Sequence, residues 1–204
     1  MSKPTLIVAP GAWYPPTALD PLIAKLTSHG YICKTVAFPS VQKSAEVKGL
    51  IADINAVRGL VEPAVNAGQD VIVISHSWSG LPEGGGTKLI FISAFLPDIG
   101  HILIGAFGGY IQWVGNGTVM ADKQFTLFFH DVPDSTEWVT RLRPHAWATK
   151  NSPATADAYV DISLLHICCG ARIETEKVKT AHITWLVVPD HIAASDRNNA
   201  GKKI

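Results

Sequence analysis

The chain has 204 residues, 17 Lys and Arg against 17 Asp and Glu, and a formal net charge of zero, with 47% hydrophobic and 17% charged residues. That length fits one α/β domain with a sizeable core, and low charge with high apolar content suits a buried parallel sheet. A neutral chain without a basic run offers a polyanion nothing to hold, so nucleic acid is not an expected partner.

Three cysteines, Cys33, Cys168 and Cys169, cannot all pair. Adjacent Cys168 and Cys169 on an apolar run read as core thiols of a reducing compartment. No signal peptide is visible, since the apolar stretch Thr5 to Pro10 is short and runs into Gly11-Ala12-Trp13. Ile102 to Ile111 holds three glycines and is too short to span a bilayer. The expectation is a cytoplasmic protein with no membrane partner; oligomeric state is not readable.

In chain order, Thr5 to Ala9 reads as a strand, followed by Pro10-Gly11. Pro21 to His29 reads as a helix, with Leu22, Ile23 and Leu26 on one face and Gly30 as its stop. Ile32 to Phe38 reads as a strand closed by Pro39. Glu46 to Ala67 has helical spacing through Leu50, Ile54, Val57, Val61 and Val65. Val71 to Ile74 is a strand, and Lys88 to Phe95 another, closed by Pro97. Ser163 to Cys169 reads as a strand, Glu174 to Ala181 as a short helix and Ile183 to Val188 as a last strand. This alternation implies a mostly parallel sheet flanked by helices, with its site at the carboxyl ends of the strands. Between Asp98 and Asp161 the pattern dissolves into aromatics and glycines. The stretch of approximately 98–160 is expected to be a cap or lid inserted into a single domain spanning 1–204. Asn116-Gly117-Thr118 is a glycosylation sequon that reads as an ordinary turn.

The richest stretch is VIVISHSWSG, Val71 to Gly80. An apolar strand that ends on small-x-Ser-x-small looks like a nucleophile elbow. The chain turns there so sharply that bulky side chains two residues either side of the serine would collide with their neighbours. Both flanking positions, Ser75 and Ser79, are serine where glycine is usual. The segment after the elbow is short: eleven residues, Trp78 to Lys88, precede the next strand. A parallel crossover with a helix needs about a dozen or more, and Pro82 and Gly84-Gly85-Gly86 oppose a helix. GLPEGGGTK is not a phosphate loop, because no lysine directly follows the second spaced glycine.

KPTLIVAPGAWYPP, the helix with HGY, the strand ending FPSV, VIVISHSWSG and LIFISAFLPDIG follow one another in order. On these motifs the chain resembles the α/β-hydrolase superfamily, in particular a group of small fungal hydrolases distantly similar to plant methylesterases and hydroxynitrile lyases. The likeness covers roughly the first hundred residues, continues faintly through WVTRLRPHAWATKNSP, and is poor over the C-terminal forty. It implies Ser77 as nucleophile and, as the base that takes its proton, a histidine after the last strand, here His191. His76 is the weaker base candidate, because adjacent elbow side chains point apart. His145 and His182 read as surface or cap residues. The resemblance also implies an oxyanion hole from the backbone N–H groups of Trp78 and of Ala12, with Pro10-Gly11-Ala12 standing at the family's His-Gly-X. Trp13, Tyr14, Trp78, Phe95 and Phe107 are candidates to line an apolar substrate pocket.

Two departures stand against these matches. The family carries an aspartate after the strand written here as LLHICCG, and this chain continues Ala171-Arg172-Ile173-Glu174. Glu174 and Asp98 both remain candidates for the acid. Without one, a serine protease loses turnover about ten-thousandfold. The long helix that the family places after the elbow has no counterpart, and its loss is expected to loosen the elbow and expose the sheet face it covered. No Cys/His spacing suggests a metal site and no G-x-G-x-x-G follows a strand, so no cofactor is expected. The reading is therefore a serine hydrolase acting on an ester, thioester or lactone of a small apolar metabolite. The alternatives are a catalytically impaired small-molecule binder on the same scaffold, or a lyase using the same serine and histidine.

Overall fold

The computed structural model describes residues 2–82, 86–104, 111–122, 128–129, 134–156, 162–169 and 183–188. Six parallel strands form the main sheet: β1 (Thr5–Ala9), β2 (Ile32–Thr35), β3 (Val71–His76), β4 (Lys88–Ile92), β8 (Leu164–Cys169) and β9 (Ile183–Val188), in the order β2-β1-β3-β4-β8-β9. The chain runs outward from β1 to β2, then returns across β1 to start β3. The order thus reverses between β1 and β3, and the crevice outside their carboxyl ends is where an open α/β sheet places its ligand site.

The alternating side chains of these strands serve two apolar layers. Leu6, Val8, Ile72, Ile74, Ile90 and Ile92 share a cluster with Leu19, Ile23 and Leu26, the last two from helix α1 (Asp20–Ser28). Ile7, Ala9, Val71, Val73, Leu89 and Phe91 join Val57, Val61 and Ala64 of helix α3 (Ile51–Asn66) in the larger core. With both faces covered, the strands read as near-continuous apolar runs.

Several boundaries differ from the sequence reading. β2 ends at Thr35; Val36 still donates to Val8 O at 3.0 Å before Pro39, unable to donate, opens the helical turn α2 (Pro39–Gln42). α3 begins at Ile51, not Glu46, and Gly49, a poor helix former, lies in the gap. β3 runs on to His76, and β4 stops at Ile92 because Ser93 adopts φ 43°. The helix expected over 174–181 lies outside the described residues, as do the side chains of Cys168 and Cys169.

Within 98–160 the structure holds a second, antiparallel sheet of β5 (Ile111–Gly115), β6 (Thr118–Ala121) and β7 (His145–Ala146), with helices α4 (Ser135–Arg141) and α5 (Trp147–Lys150). β5 and β6 meet at Asn116-Gly117, where φ is 51° and 69°. Two left-handed residues make the hairpin turn whose twist matches the strands.

The expected exposed sheet face is not there. A four-residue 3-10 turn, Ser77–Gly80, replaces the long helix, yet Val73, Leu89 and Phe91 are buried. They share the core with Trp78, Leu81 and Leu103. Bulky side chains from the turn and from the segment after β4 take the volume that a helix would fill. The crossover is short enough that Thr87 bonds back to the start of β3, its hydroxyl accepting from Val71 N at 3.1 Å.

Candidate active site

The apolar run of β3 ends on Ser75, which is buried, and the next-but-one residue breaks the strand. Ser77 has φ 55°, a left-handed conformation that costs a non-glycine residue of order 1–3 kcal/mol and persists only when its surroundings over-determine it. Here they do. Ser79 is buried, and its hydroxyl accepts from His76 N at 2.8 Å while lying 2.9 Å from His76 O and 3.1 Å from Ala9 O. Phe95 N donates to Ser77 O at 3.0 Å. A Cβ at Gly80 would lie 2.0 Å from the Phe95 carbonyl oxygen, so only glycine fits there. The Ser79 backbone N–H donates to the His76 side chain, closing the turn from the other side. The serine at 79 is therefore more than a tolerated small residue: its hydroxyl ties the elbow to the end of β1.

That tie brings in the second loop. Pro10-Gly11-Ala12 leaves β1 beside the elbow, at the point where the strand order reverses. A Cβ on Gly11 would stand 2.9 Å from His76 Nδ1 and 3.3 Å from Ser77 Cβ. Trp13 follows with φ 68°. Its indole donates to Val119 O at 3.0 Å and its carbonyl accepts from Arg143 N at 2.9 Å, so the second sheet and its neighbouring chain hold this loop in place.

Against the two loops lies a half-open cleft of about 270 Å³, lined by Val8, Pro10, Gly11, Tyr14, Ala18, Leu19, Leu22, Ile74, His76 and Ile92. Its two side-chain polar groups are neutral near pH 7. Burial pushes the Tyr14 phenol up to about 12 and holds the His76 imidazole below its ordinary value. The rings meet edge to face, with centroids 6.2 Å apart. An apolar wall with two neutral polar points suits an uncharged, mostly apolar ligand.

No family model matches the chain. Two curated fungal proteins do. Alpha/beta hydrolase nvfD of Aspergillus novofumigatus is 23% identical over 248 residues, covering 100% of this chain and 99% of that protein. Probable hydrolase R7 of a Phoma species is 26% identical over 191 residues, covering 83% and 78%. Among solved structures, a pyrethroid hydrolase superposes with a TM-score of 0.70 at 14% identity over 98% of both chains. Polyneuridine aldehyde esterase gives 0.69 at 14% identity, over 98% of this chain and all (100%) of that one. Tomato methylketone synthase I gives 0.69 at 12%, over 99% of each. The chain has the α/β-hydrolase fold and is similar in sequence to fungal α/β-hydrolases.

The structure brings Ser77, Trp78 and the Gly11-Ala12 loop together at one sheet edge and sets Tyr14 on the adjoining cleft. Trp13 is buried against the second sheet and is not on the cleft wall. Phe95 packs its backbone on Gly80 and Ser77, behind the elbow. The Asp98 side chain is 60% exposed, and its carboxylate lies 4.0 Å from His101 Nδ1. His191, Glu174, Phe107 and His182 lie outside the described residues.

His145, read from sequence as a surface or cap residue, is buried. Its ring meets the Trp78 indole edge to face at 4.5 Å and Trp13 at 6.2 Å, and its Nε2 lies 3.3 Å from Thr149 Oγ1. Beside it sits a lysine with no motif around it to single it out. Lys150 is 0% exposed, with Nζ 4.8 Å from the Trp13 ring centroid and 4.6 Å from that of Trp78. A desolvated cation over an indole face gains about 2 kcal/mol or more. Asp53, buried in the first turn of α3, accepts from Ser40 N at 3.0 Å. Burial pushes its carboxyl up to about 6, opposed by the Ser40 hydrogen bonds and by Lys150. Burial pulls Lys150 well below the lysine range while Asp53 acts the other way, and burial with the Lys150 charge holds His145 well below its ordinary value.

Proposed function

We propose that this hydrolase cleaves an ester, thioester or lactone of a small apolar metabolite through an acyl-enzyme on Ser77. The observation that carries this reading is the left-handed Ser77 at the end of a central strand, flush against the Gly11 loop and beside an apolar cleft. A serine held in that conformation at the rim of the sheet is the arrangement nucleophilic acyl chemistry needs.

The Ser77 hydroxyl attacks the carbonyl carbon as the base, His191 on the sequence evidence, takes its proton. The carbonyl π electrons move to oxygen, where the Ala12 and Trp78 amides receive the negative charge. The tetrahedral species collapses, the bond to the leaving oxygen or sulfur breaks, and the base returns its proton there. Water, deprotonated by the same base, attacks the ester of Ser77 and frees the carboxylic acid and the serine hydroxyl. Glu174 or Asp98 orients the base. The neutral Tyr14 and His76 on the cleft favour an uncharged substrate.

The test is turnover on p-nitrophenyl esters of rising acyl length beside matched cyanohydrins. Ester hydrolysis that peaks at a short or medium chain and falls at least 10³-fold in Ser77→Ala supports the reading. Cyanohydrin cleavage without ester hydrolysis points to a lyase. A folded protein that saturably binds the esters without turning them over points to a binder, the reading favoured by the four-residue turn that stands in place of a helix.

A further inference from the structure

We propose that Lys150 is a positioning residue for the oxyanion hole: wedged between the indoles of Trp13 and Trp78, it holds together the two backbone stretches whose amides receive the developing charge. The proposal rests on the serine-hydrolase reading given to Ser77, Ala12 and Trp78.

The two indoles belong to the machinery itself. Trp78 supplies one amide, and Trp13 directly follows Ala12, which supplies the other. Each neighbours a strained left-handed backbone position, φ 68° at Trp13 itself and φ 55° at Ser77. Such positions relax unless something outside the chain segment fixes them. The loops come from different strands, β1 and β3, so their mutual register depends on groups that reach both. Lys150 reaches both, with Nζ 4.8 Å from one ring centroid and 4.6 Å from the other, and His145 braces the same pair edge-on.

A cation does what an aliphatic chain of equal length cannot. An ammonium group is attracted to the face of each indole and so sets the tilt of both rings, whereas a methyl only fills volume. Burying that charge is costly, and apolar residues in place of a whole buried pair of charges are often neutral or stabilising. Burial works against the charged lysine, and Asp53, its carboxylate anchored on Ser40 N at 3.0 Å, works for it. A lysine kept fully buried where an apolar pair would serve the fold as well points to a role in the site.

Lys150→Met keeps the length of the stem and removes the charge. On p-nitrophenyl butyrate its kcat is expected to fall on the order of 10- to 100-fold, the effect of misplacing an oxyanion donor. KM should stay within about twofold. Labelling by a fluorophosphonate should slow in parallel; Tm should fall, because Asp53 loses its counter-charge, so kcat is read well below the variant's own Tm. Lys150→Arg should recover part of kcat. A folded Lys150→Met with wild-type kcat would overturn the proposal. Should the Met variant not fold, Asp53→Asn takes its place, leaving Lys150 present and removing the carboxylate that faces it. The same fall in kcat at constant KM supports the clamp, and an unchanged kcat overturns it. A wild-type protein that neither turns over nor labels fails the serine-hydrolase reading and takes this proposal with it. That outcome is distinct from an active wild type beside an equally active Lys150→Met, which removes the clamp alone.

Discussion

Ser79 shows how one atom changes the meaning of a motif. By pattern alone it is a weaker version of glycine at the small position two residues after Ser77. In the fold its hydroxyl serves the His76 amide, the His76 carbonyl and the Ala9 carbonyl at once. Replacing it with alanine leaves a backbone N–H and a carbonyl short of a partner in a nearly dry place, and each such orphan costs about 1–3 kcal/mol. Ser79→Ala should therefore lower the unfolding free energy by about 2 kcal/mol or more in urea titration. Its effect on ester turnover should exceed that of the lost stability, because the elbow and the Gly11 loop lose their tie. A variant as stable as wild type would show that the hydroxyl is idle. Lys150 is the opposite case. A lone lysine after Trp-Ala-Thr carries no sequence signal, since lysines are nearly always solvated. Only the fold brings it between two indoles that lie 65 positions apart in the chain.

At the level of elements, the strands of the main sheet were legible because most are apolar runs with Pro, Gly or Asp close to one end. β1 and β9 match their expected limits, Thr5–Ala9 and Ile183–Val188. The start of α3 was not legible, because Val47 and Leu50 extend the helical spacing backward through Gly49 and periodicity has no memory of a cap. The second sheet was hidden for another reason: Trp113 and Val114 are exposed on β5, so the inside–outside alternation that marks a strand is lost. Only its Asn-Gly turn was visible beforehand. The junction of elbow and β4 depends on Gly80, where a Cβ would sit 2.0 Å from the Phe95 carbonyl oxygen. Backbone cannot swing aside as a side chain can. Gly80→Ala should cost about 3 kcal/mol, at the upper end for overpacking, and lower Tm by roughly 6–12 °C at this size. Differential scanning calorimetry reads this directly, and a shift below 2 °C would mean the turn has room to spare.

For the molecule as a whole, stability responds to pH through groups that burial has displaced in opposite directions. His76 and His145 titrate below their ordinary values in the fold. Between those lowered values and about 6.5 the unfolded chain binds more protons than the native one, so their contribution is complete above about 6.5 and is lost as pH falls. Asp53 works the other way. Its folded value of about 6 lies above the unfolded 3.8, so the native state binds more protons in that window and stability falls as pH rises through it. Acidification from pH 7 to 5 therefore sets histidine loss against aspartate recovery. His145→Gln removes one histidine term, and its Tm should decline less steeply than that of wild type between pH 6.5 and 5, by up to about 1.4 kcal/mol per pH unit. Parallel curves would show that His145 charges freely in the fold.

The same whole-molecule view explains which part of the site could be read from the chain. The reversal of strand order between β1 and β3 makes neighbours of GAW and SHSWSG, two motifs more than 60 positions apart. Each is recognisable by its small residues, and their meeting follows from the α/β alternation. A carboxylate to partner the proposed base was not legible, because no aspartate stands where the resemblance calls for one.

The most direct measurement is the intact mass of the protein after incubation with a fluorophosphonate, followed by peptide mapping. One phosphonyl adduct per chain is expected, carried by Ser77 and absent from folded Ser77→Ala. An unmodified wild-type protein, or an adduct mapped to any other residue, would contradict it.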